Sequence, residues 1–293
     1  MIIIYCSQMY FLKIILICLK IIIYYVDQLN QNKMNFENFF LGNVNYLHED
    51  LYDVRYNQCV LDFFGKSLDY KRKYSYGYGG YLEKGYEHSG DPNMPDMQES
   101  YTLTTGRNES VPPELDFLYQ SLFMRLCQLG EKIIDAILEN DKLRLSGLSS
   151  ADFEFTMLVN YFYPYSSTEI ESDRAFRMGE HIDESLFTAM PHGAVYDFEV
   201  FQDGQWITPH HLERNPIIFP GKLTQFLSGG HIPALKHRVR LSERQSARIS
   251  YPFMALPKIH TKLAPLGKVD EMVTGREFME EYLSEHINKN MQY

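Results

Sequence analysis

Basic residues are in deficit in this chain of 293 residues: 28 Lys+Arg face 38 Asp+Glu, a net charge of −10. A protein that holds phosphate backbones needs a cationic surplus, so nucleic acid is excluded as a first partner class. Cysteine is sparse as well. Cys6, Cys18, Cys59 and Cys127 show no C-x-x-C spacing, which removes zinc ribbons and a dense disulfide framework and sets a reducing, cytoplasmic location as the expectation. No G-x-S-x-G surrounds Ser250, so a nucleophile elbow is absent. The glycines of KYSYGYGGYLEKGY (Lys73 to Tyr86) lack a preceding strand, so they make no nucleotide-binding loop. That stretch is expected to loop over a core.

What is present is an ordinary folding composition, 45% hydrophobic and 23% charged, long enough for one large domain or two small ones. Tryptophan occurs once, yet 22 Tyr and 19 Phe bring the aromatic share to 14%, favouring a β-rich core in which flat rings pack on pleated faces.

Residues 1–33 are a different kind of sequence. Met1 to Val26 is almost wholly apolar, interrupted by Lys13 and Lys20. Its length suits a membrane anchor, but each mid-span lysine opposes insertion by about 2.5–3.5 kcal/mol. No small-residue cleavage site follows it. Met34 in NKMNFENFF offers a second start, in which case 1–33 come from an over-extended reading frame. Membrane association is expected only through this segment.

Residues 34–150 carry helical signals. Leu51 to Phe64 has a loose helical period, and Pro112-Pro113-Glu114 opens a helix with Leu115, Leu118, Leu122, Leu126, Leu129, Ile133 and Ile137 on one stripe. From Asp152 the period changes to two. FEFTMLVNYFYP, HIDESLFTAM, VYDFEVFQDGQWI, NPIIFP, KLTQFL, ALKHRVRL and ARISYPFMALP read as short strands separated by turns such as Asp203-Gly204 and Ser228-Gly229-Gly230. The expected fold class is mostly β with flanking helices, a sandwich or jelly-roll barrel over 151–260. The tail 261–293 is expected to close the fold with one amphipathic helix from Val269 to His286.

Chemistry concentrates in the β region. His181-Ile182-Asp183 puts an imidazole and a carboxylate at i and i+2, one face of a strand or strand end. A third ligand must come from a distant strand, and His237 in LKHRVRL is the candidate. Two His and one carboxylate on one face of a metal leave the opposite positions open, the arrangement of non-haem Fe(II) oxygenases. Arg248-Ile249-Ser250 adds a guanidinium fork and a hydroxyl on one strand face, suited to the far end of a chelating dianion. Taken singly, these pairs are common by chance. His192, His210 and His211 sit in turn sequences and read as solvated. His231 follows the Ser228-Gly229-Gly230 turn, at what reads as a hairpin tip, and Asn108-Glu109-Ser110 is a sequon with no secretory signal.

Together these stretches resemble the isopenicillin N synthase-like branch of the 2-oxoglutarate- and Fe(II)-dependent dioxygenases. The resemblance runs through HIDESLFTAMPHG, FEVFQDGQWITP, FPGKLTQFLSGGHIPALKHRV and RISYPFMALP, and reaches back to DFFGKSLDYKRKYSYGYGGY and PDMQESYTL. It implies a double-stranded β-helix (jelly-roll, cupin-like) core and an N-terminal region whose usual opening strand and helix should lie ahead of Phe39. It implies iron held by His181, Asp183 and His237. Arg248 and Ser250 would bind the distal carboxylate of 2-oxoglutarate, helped by Tyr161 or Tyr163 from Asn160-Tyr161-Phe162-Tyr163-Pro164. The implied activity, with O₂ as co-substrate, is oxidation of a C–H bond of a small molecule by a monomeric enzyme, with release of succinate and CO₂. An Arg-x-Ser pair also serves isopenicillin N synthase, which uses no 2-oxoglutarate. A same-fold oxidase or an inactive member is therefore the alternative.

Overall fold

The computed structural model describes residues 34–76, 79–89, 93–106, 110–165, 175–191, 196–209, 216–241 and 246–286, without side chains at 145 and 281–286. The apolar segment 1–33, His192, His210, His211 and the Asn108 sequon lie outside the described residues. Among those described, no helix is long and apolar enough to cross a membrane.

The strands in chain order are β1 (Asn45–Tyr46), β2 (Ser75–Tyr76), β3 (Gly79–Leu82), β4 (Gln98–Thr104), β5 (Phe153–Phe162), β6 (Phe176–His181), β7 (Phe187–Met190) and β8 (Phe198–Gln202). They continue with β9 (Gln205–Ile207), β10 (Ile217–Pro220), β11 (His237–Arg240), β12 (Arg248–Ser250), β13 (Phe253–Pro257), β14 (Lys262–Leu263) and β15 (Val273–Thr274). The helices are α1 (Glu37–Phe40), α2 (Val54–Phe64), α3 (Leu68–Arg72), α4 (Met124–Leu138), α5 (Lys222–Leu227) and α6 (Gly275–His286).

A large antiparallel sheet runs β1-β10-β7-β13-β5-β4-β3-β2, with β12 also pairing β5. A smaller one runs β6-β11-β8-β9. The two face each other through Met190, Ile217 and Phe219 of the large sheet and Phe198, Val200 and Val239 of the small one. Two sheets closing over one apolar interior is the expected jelly-roll. The long strand β5 shows how the layers are made. Its odd positions Phe153, Phe155 and Met157 are buried, with Phe155 toward α4, while Glu154, Thr156, Leu158, Asn160 and Phe162 line a cavity. Period-two alternation thus serves two packed faces. Gly130 on α4 lets the helix approach the sheet, because a Cβ there would lie 2.6 Å from the Phe155 ring.

Several boundaries depart from the sequence reading. Helix α2 begins at Val54, since the Asp53 carboxylate accepts the Arg55 N–H at 2.9 Å and so caps it. The Tyr/Gly stretch supplies β2 and β3, the latter buried at all four positions and paired to β4. Its glycines allow this: Gly80 has φ +68°, and a Cβ there would meet the Tyr74 carbonyl. Region 34–150 therefore contributes four strands to the main sheet besides its helices. The helix expected from Pro112 does begin there, as a 3-10 turn over Pro113–Leu115 and an α turn over Asp116–Leu118, then passes through a π turn at Tyr119–Phe123 before the long run of α4. KLTQFL is the helix α5, burying Leu223, Thr224 and Leu227 at helical spacing, and Ser228-Gly229-Gly230 ends it instead of tipping a hairpin. In the tail the helix starts only at Gly275, after β15.

Candidate metal centre and cavity

Strand pairing assembles the candidate ligands. His181 closes β6 and His237 opens β11, and the two are register partners, so their rings face the interior with centroids 4.2 Å apart. Asp183 lies two residues past β6 in the turn before β7. That turn is held by the Lys222 N–H donating to the Asp183 carbonyl at 2.7 Å. The three side chains offer ligand atoms that all lie within 4.8 Å of one another. The Nε2 atoms of His181 and His237 stand 3.6 and 3.7 Å from Asp183 Oδ1.

The surrounding hydrogen bonds prepare those atoms. Each imidazole donates from Nδ1 to a backbone carbonyl, His181 to Gly179 at 3.0 Å and His237 to Leu235 at 3.2 Å. This fixes the tautomer and leaves both Nε2 lone pairs directed at the gap. The Thr188 hydroxyl donates to Asp183 Oδ2, leaving Oδ1 for the gap. Burial, with His237 alongside, pushes the His181 pKa down to about 4 against the pull of Asp183, so the ring is a neutral ligand at neutral pH.

The cavity beside this group measures about 340 Å³ and is lined by all three residues together with Arg248 and Ser250. Arg248 is 6% and Ser250 3% exposed. The guanidinium donates from Nη1 to Ser250 Oγ at 3.2 Å and from Nε to the Tyr196 carbonyl at 3.0 Å. Its Nη2 is buried with no partner among the described residues. Burial and the neighbouring Arg177 push its pKa down. A buried guanidinium on the cavity wall with an unspent N–H group makes an anion site with room for its ligand.

Tyr161 and Tyr163 stand outside this group. β12 pairs with β5 so that Arg248 opposes Phe162 and Ser250 opposes Asn160, and these even-numbered residues line the cavity. The tyrosines project from the other face. There Tyr161 stacks on Phe64 at 5.4 Å, and Glu99, paired with Lys71 at 2.5 Å, raises the pKa of both phenols beyond the effect of burial. The residues that sequence reading missed are Asn160 and Phe162 on β5 and a polar wall of Glu87, Asp96 and Gln98. The i, i+2 pairing of Arg248 with Ser250 carried the signal for the first two, since a neighbouring strand must match that parity. His231 is exposed past α5, away from the group.

Comparison with known proteins bears on this arrangement. Residues 153–257 match the 2OG-Fe(II) oxygenase superfamily. Gibberellin 3-beta-dioxygenase 1 of Arabidopsis thaliana is 28% identical over 128 residues, 41% of this chain and 35% of that protein. The match thus spans about a third of the relative's length. The dioxygenase for auxin oxidation of rice is 17% identical with a TM-score of 0.64, covering 84% of this chain and 87% of that one. Its Arabidopsis thaliana counterpart, dioxygenase for auxin oxidation 1, solved as a complex with 2-oxoglutarate, is 15% identical with a TM-score of 0.60, covering 80% and 90%. The solved structures share the fold, and the matched residues 153–257 include His181, Asp183, His237, Arg248 and Ser250. Over residues 153–257, the chain is similar to the 2OG-Fe(II) oxygenase superfamily.

Proposed function

We propose that this protein is an Fe(II)- and 2-oxoglutarate-dependent oxygenase that oxidises a C–H bond of a small molecule, with His181, Asp183 and His237 as the iron ligands. The carrying observation is convergence: three ligand atoms within 4.8 Å of one another and the Arg248–Ser250 pair open onto one cavity. Two neutral imidazoles and one carboxylate fit a ferrous ion on one face only. Iron with 2-oxoglutarate and O₂ supplies oxidative decarboxylation to succinate and CO₂, coupled to oxidation of the substrate.

The rest falls to the chain's own residues. Backbone carbonyls of Gly179 and Leu235 hold the imidazoles, and Thr188 holds the carboxylate. Arg248 Nη2 and the Ser250 hydroxyl receive the distal carboxylate of the 2-oxo acid. Phe198 and Phe219 pack at 5.4 and 5.0 Å on His237 and keep water from its far side. The unpaired thiols of Cys59 and Cys127 accord with a cytoplasmic enzyme. The test is turnover of 2-oxoglutarate by the purified protein: succinate forms with Fe(II) and not without it. A protein that binds iron but never releases succinate with any substrate contradicts use of 2-oxoglutarate.

A further inference from the structure

The cavity has two chemically opposite ends. Across its floor, β12, β5 and β4 place Arg248, Phe162 and Gln98 in one row and Ser250, Asn160 and Ser100 in the next. Neighbouring strands lie about 4.8 Å apart, so Gln98 is roughly 10 Å from Arg248. At the Arg248 end the groups donate. At the Gln98 end they accept.

Glu87 takes hydrogen bonds from Ser100 Oγ at 3.0 Å and Gln98 Nε2 at 3.2 Å, both on Oε2. Since the Gln98 amide nitrogen is committed to a carboxylate, its Oε1 must point elsewhere. It is buried with no partner among the described residues, in a side chain 3% exposed that lines the cavity. Beside them Asp96 is 3% exposed and accepts from the Ser89 hydroxyl and N–H. Among the described residues, the groups acting on these two carboxylates are Ser89, Ser100, Gln98, the Gly179 N–H and Glu87 itself, with no lysine or arginine among them. His88 is, among the described residues, the basic side chain that lines the cavity on this wall. Burial accordingly raises the pKa of both acids. Leaving buried acceptors unmatched is costly, and a buried carboxylate without a countercharge more so.

We infer that the substrate carries a cationic nitrogen, a protonated amine, amidine or guanidine, which docks on Glu87 Oε1 and Gln98 Oε1 while its apolar body lies along Leu82, Leu158 and Met254. This rests on the oxygenase reading, in which the Arg248 end is taken by the 2-oxo acid. It excludes substrates whose only polar group is a carboxylate, since that group would face two acids and an amide oxygen.

Two probes with the same hydrocarbon body test it, 2-phenylethylamine and 3-phenylpropanoate, titrated calorimetrically into the full chain loaded anaerobically with Fe(II) and 2-oxoglutarate. The amine binds at least about tenfold more tightly. The acidity of the whole protein also favours cations, so the variants decide the location. Glu87→Gln narrows the ratio to about threefold or less, and Gln98→Leu weakens the amine alone. Equal or tighter binding of 3-phenylpropanoate, no binding of the amine, or a ratio unchanged in both variants overturns the inference. Failure of the oxygenase reading shows separately, as absence of metal and 2-oxoglutarate uptake before either probe is added, and the probe ratio is then read on the metal-free chain.

Discussion

At the scale of single residues, geometry converts side chains of ordinary type into a site. The pairs His181/Asp183 and Arg248/Ser250 stood out because i, i+2 spacing needs no tertiary information, whereas His237 had to be sought on a distant strand; all five line one cavity. Tyr161 and Tyr163 do not. Both faces of β5 are packed, so hydrophobicity does not reveal which parity meets the cavity, and the phenols fall on the side of Lys71 and Glu99. Arg248→Gln removes a charged donor from a buried anion site, so the dissociation constant for 2-oxoglutarate rises about 10- to 100-fold by calorimetry. Asp96 gives a pH signature. Burial raises its pKa from 3.8 to about 7, so the folded protein binds a proton there that the unfolded chain has released. This group's stabilisation is complete below pH 3.8 and lost as pH rises towards 7. In chemical unfolding, Asp96→Asn therefore gains on the wild type between pH 4 and pH 8, by on the order of 3 kcal/mol. A difference that does not change with pH contradicts a buried, uncompensated Asp96.

At the scale of elements, the strands were legible and the connections were not. Period two marked β5, β8 and β11, and Asp203-Gly204 marked the β8–β9 hairpin, where both residues have positive φ. KLTQFL misled the same rule because six residues are too few to fix a period from the sequence, although the buried Leu223, Thr224 and Leu227 follow the helical one. Its true role is to brace the turn that carries Asp183. Gly221, which caps α5, sits so close to that turn that a Cβ would lie 2.2 Å from the Ser185 carbonyl and 2.7 Å from that of Asp183. Gly221→Ala must push the turn aside. We expect a protein that keeps its far-ultraviolet dichroism yet binds Fe(II) at least about tenfold more weakly, since ligand geometry tolerates only a few tenths of an ångström. Unchanged iron affinity means the turn does not set the position of Asp183.

At the scale of the whole molecule, two sheets with α4 behind the larger one make a scaffold whose interior is packed around His237 and open beside it. Composition and aromatic content pointed to that class of fold. The extent of the main sheet was hidden, because β2, β3 and β4 come from a region that reads as helix and loop, and their pairing with β5 is a long-range fact that local pattern does not contain. The match to curated relatives covers 35% of gibberellin 3-beta-dioxygenase 1, whereas the fold likeness covers most of the chain. Topology here therefore reaches further than sequence. In the proposed enzyme this scaffold brings residues 181, 183 and 237 around one ferrous ion, with a 2-oxo acid bound to it and anchored at Arg248. Anaerobic titration of the purified full chain with Fe(II) and 2-oxoglutarate tests this most directly. A weak visible charge-transfer band grows to one equivalent of iron and is lost in Asp183→Ala. Iron bound without the band, or the band persisting in Asp183→Ala, contradicts it.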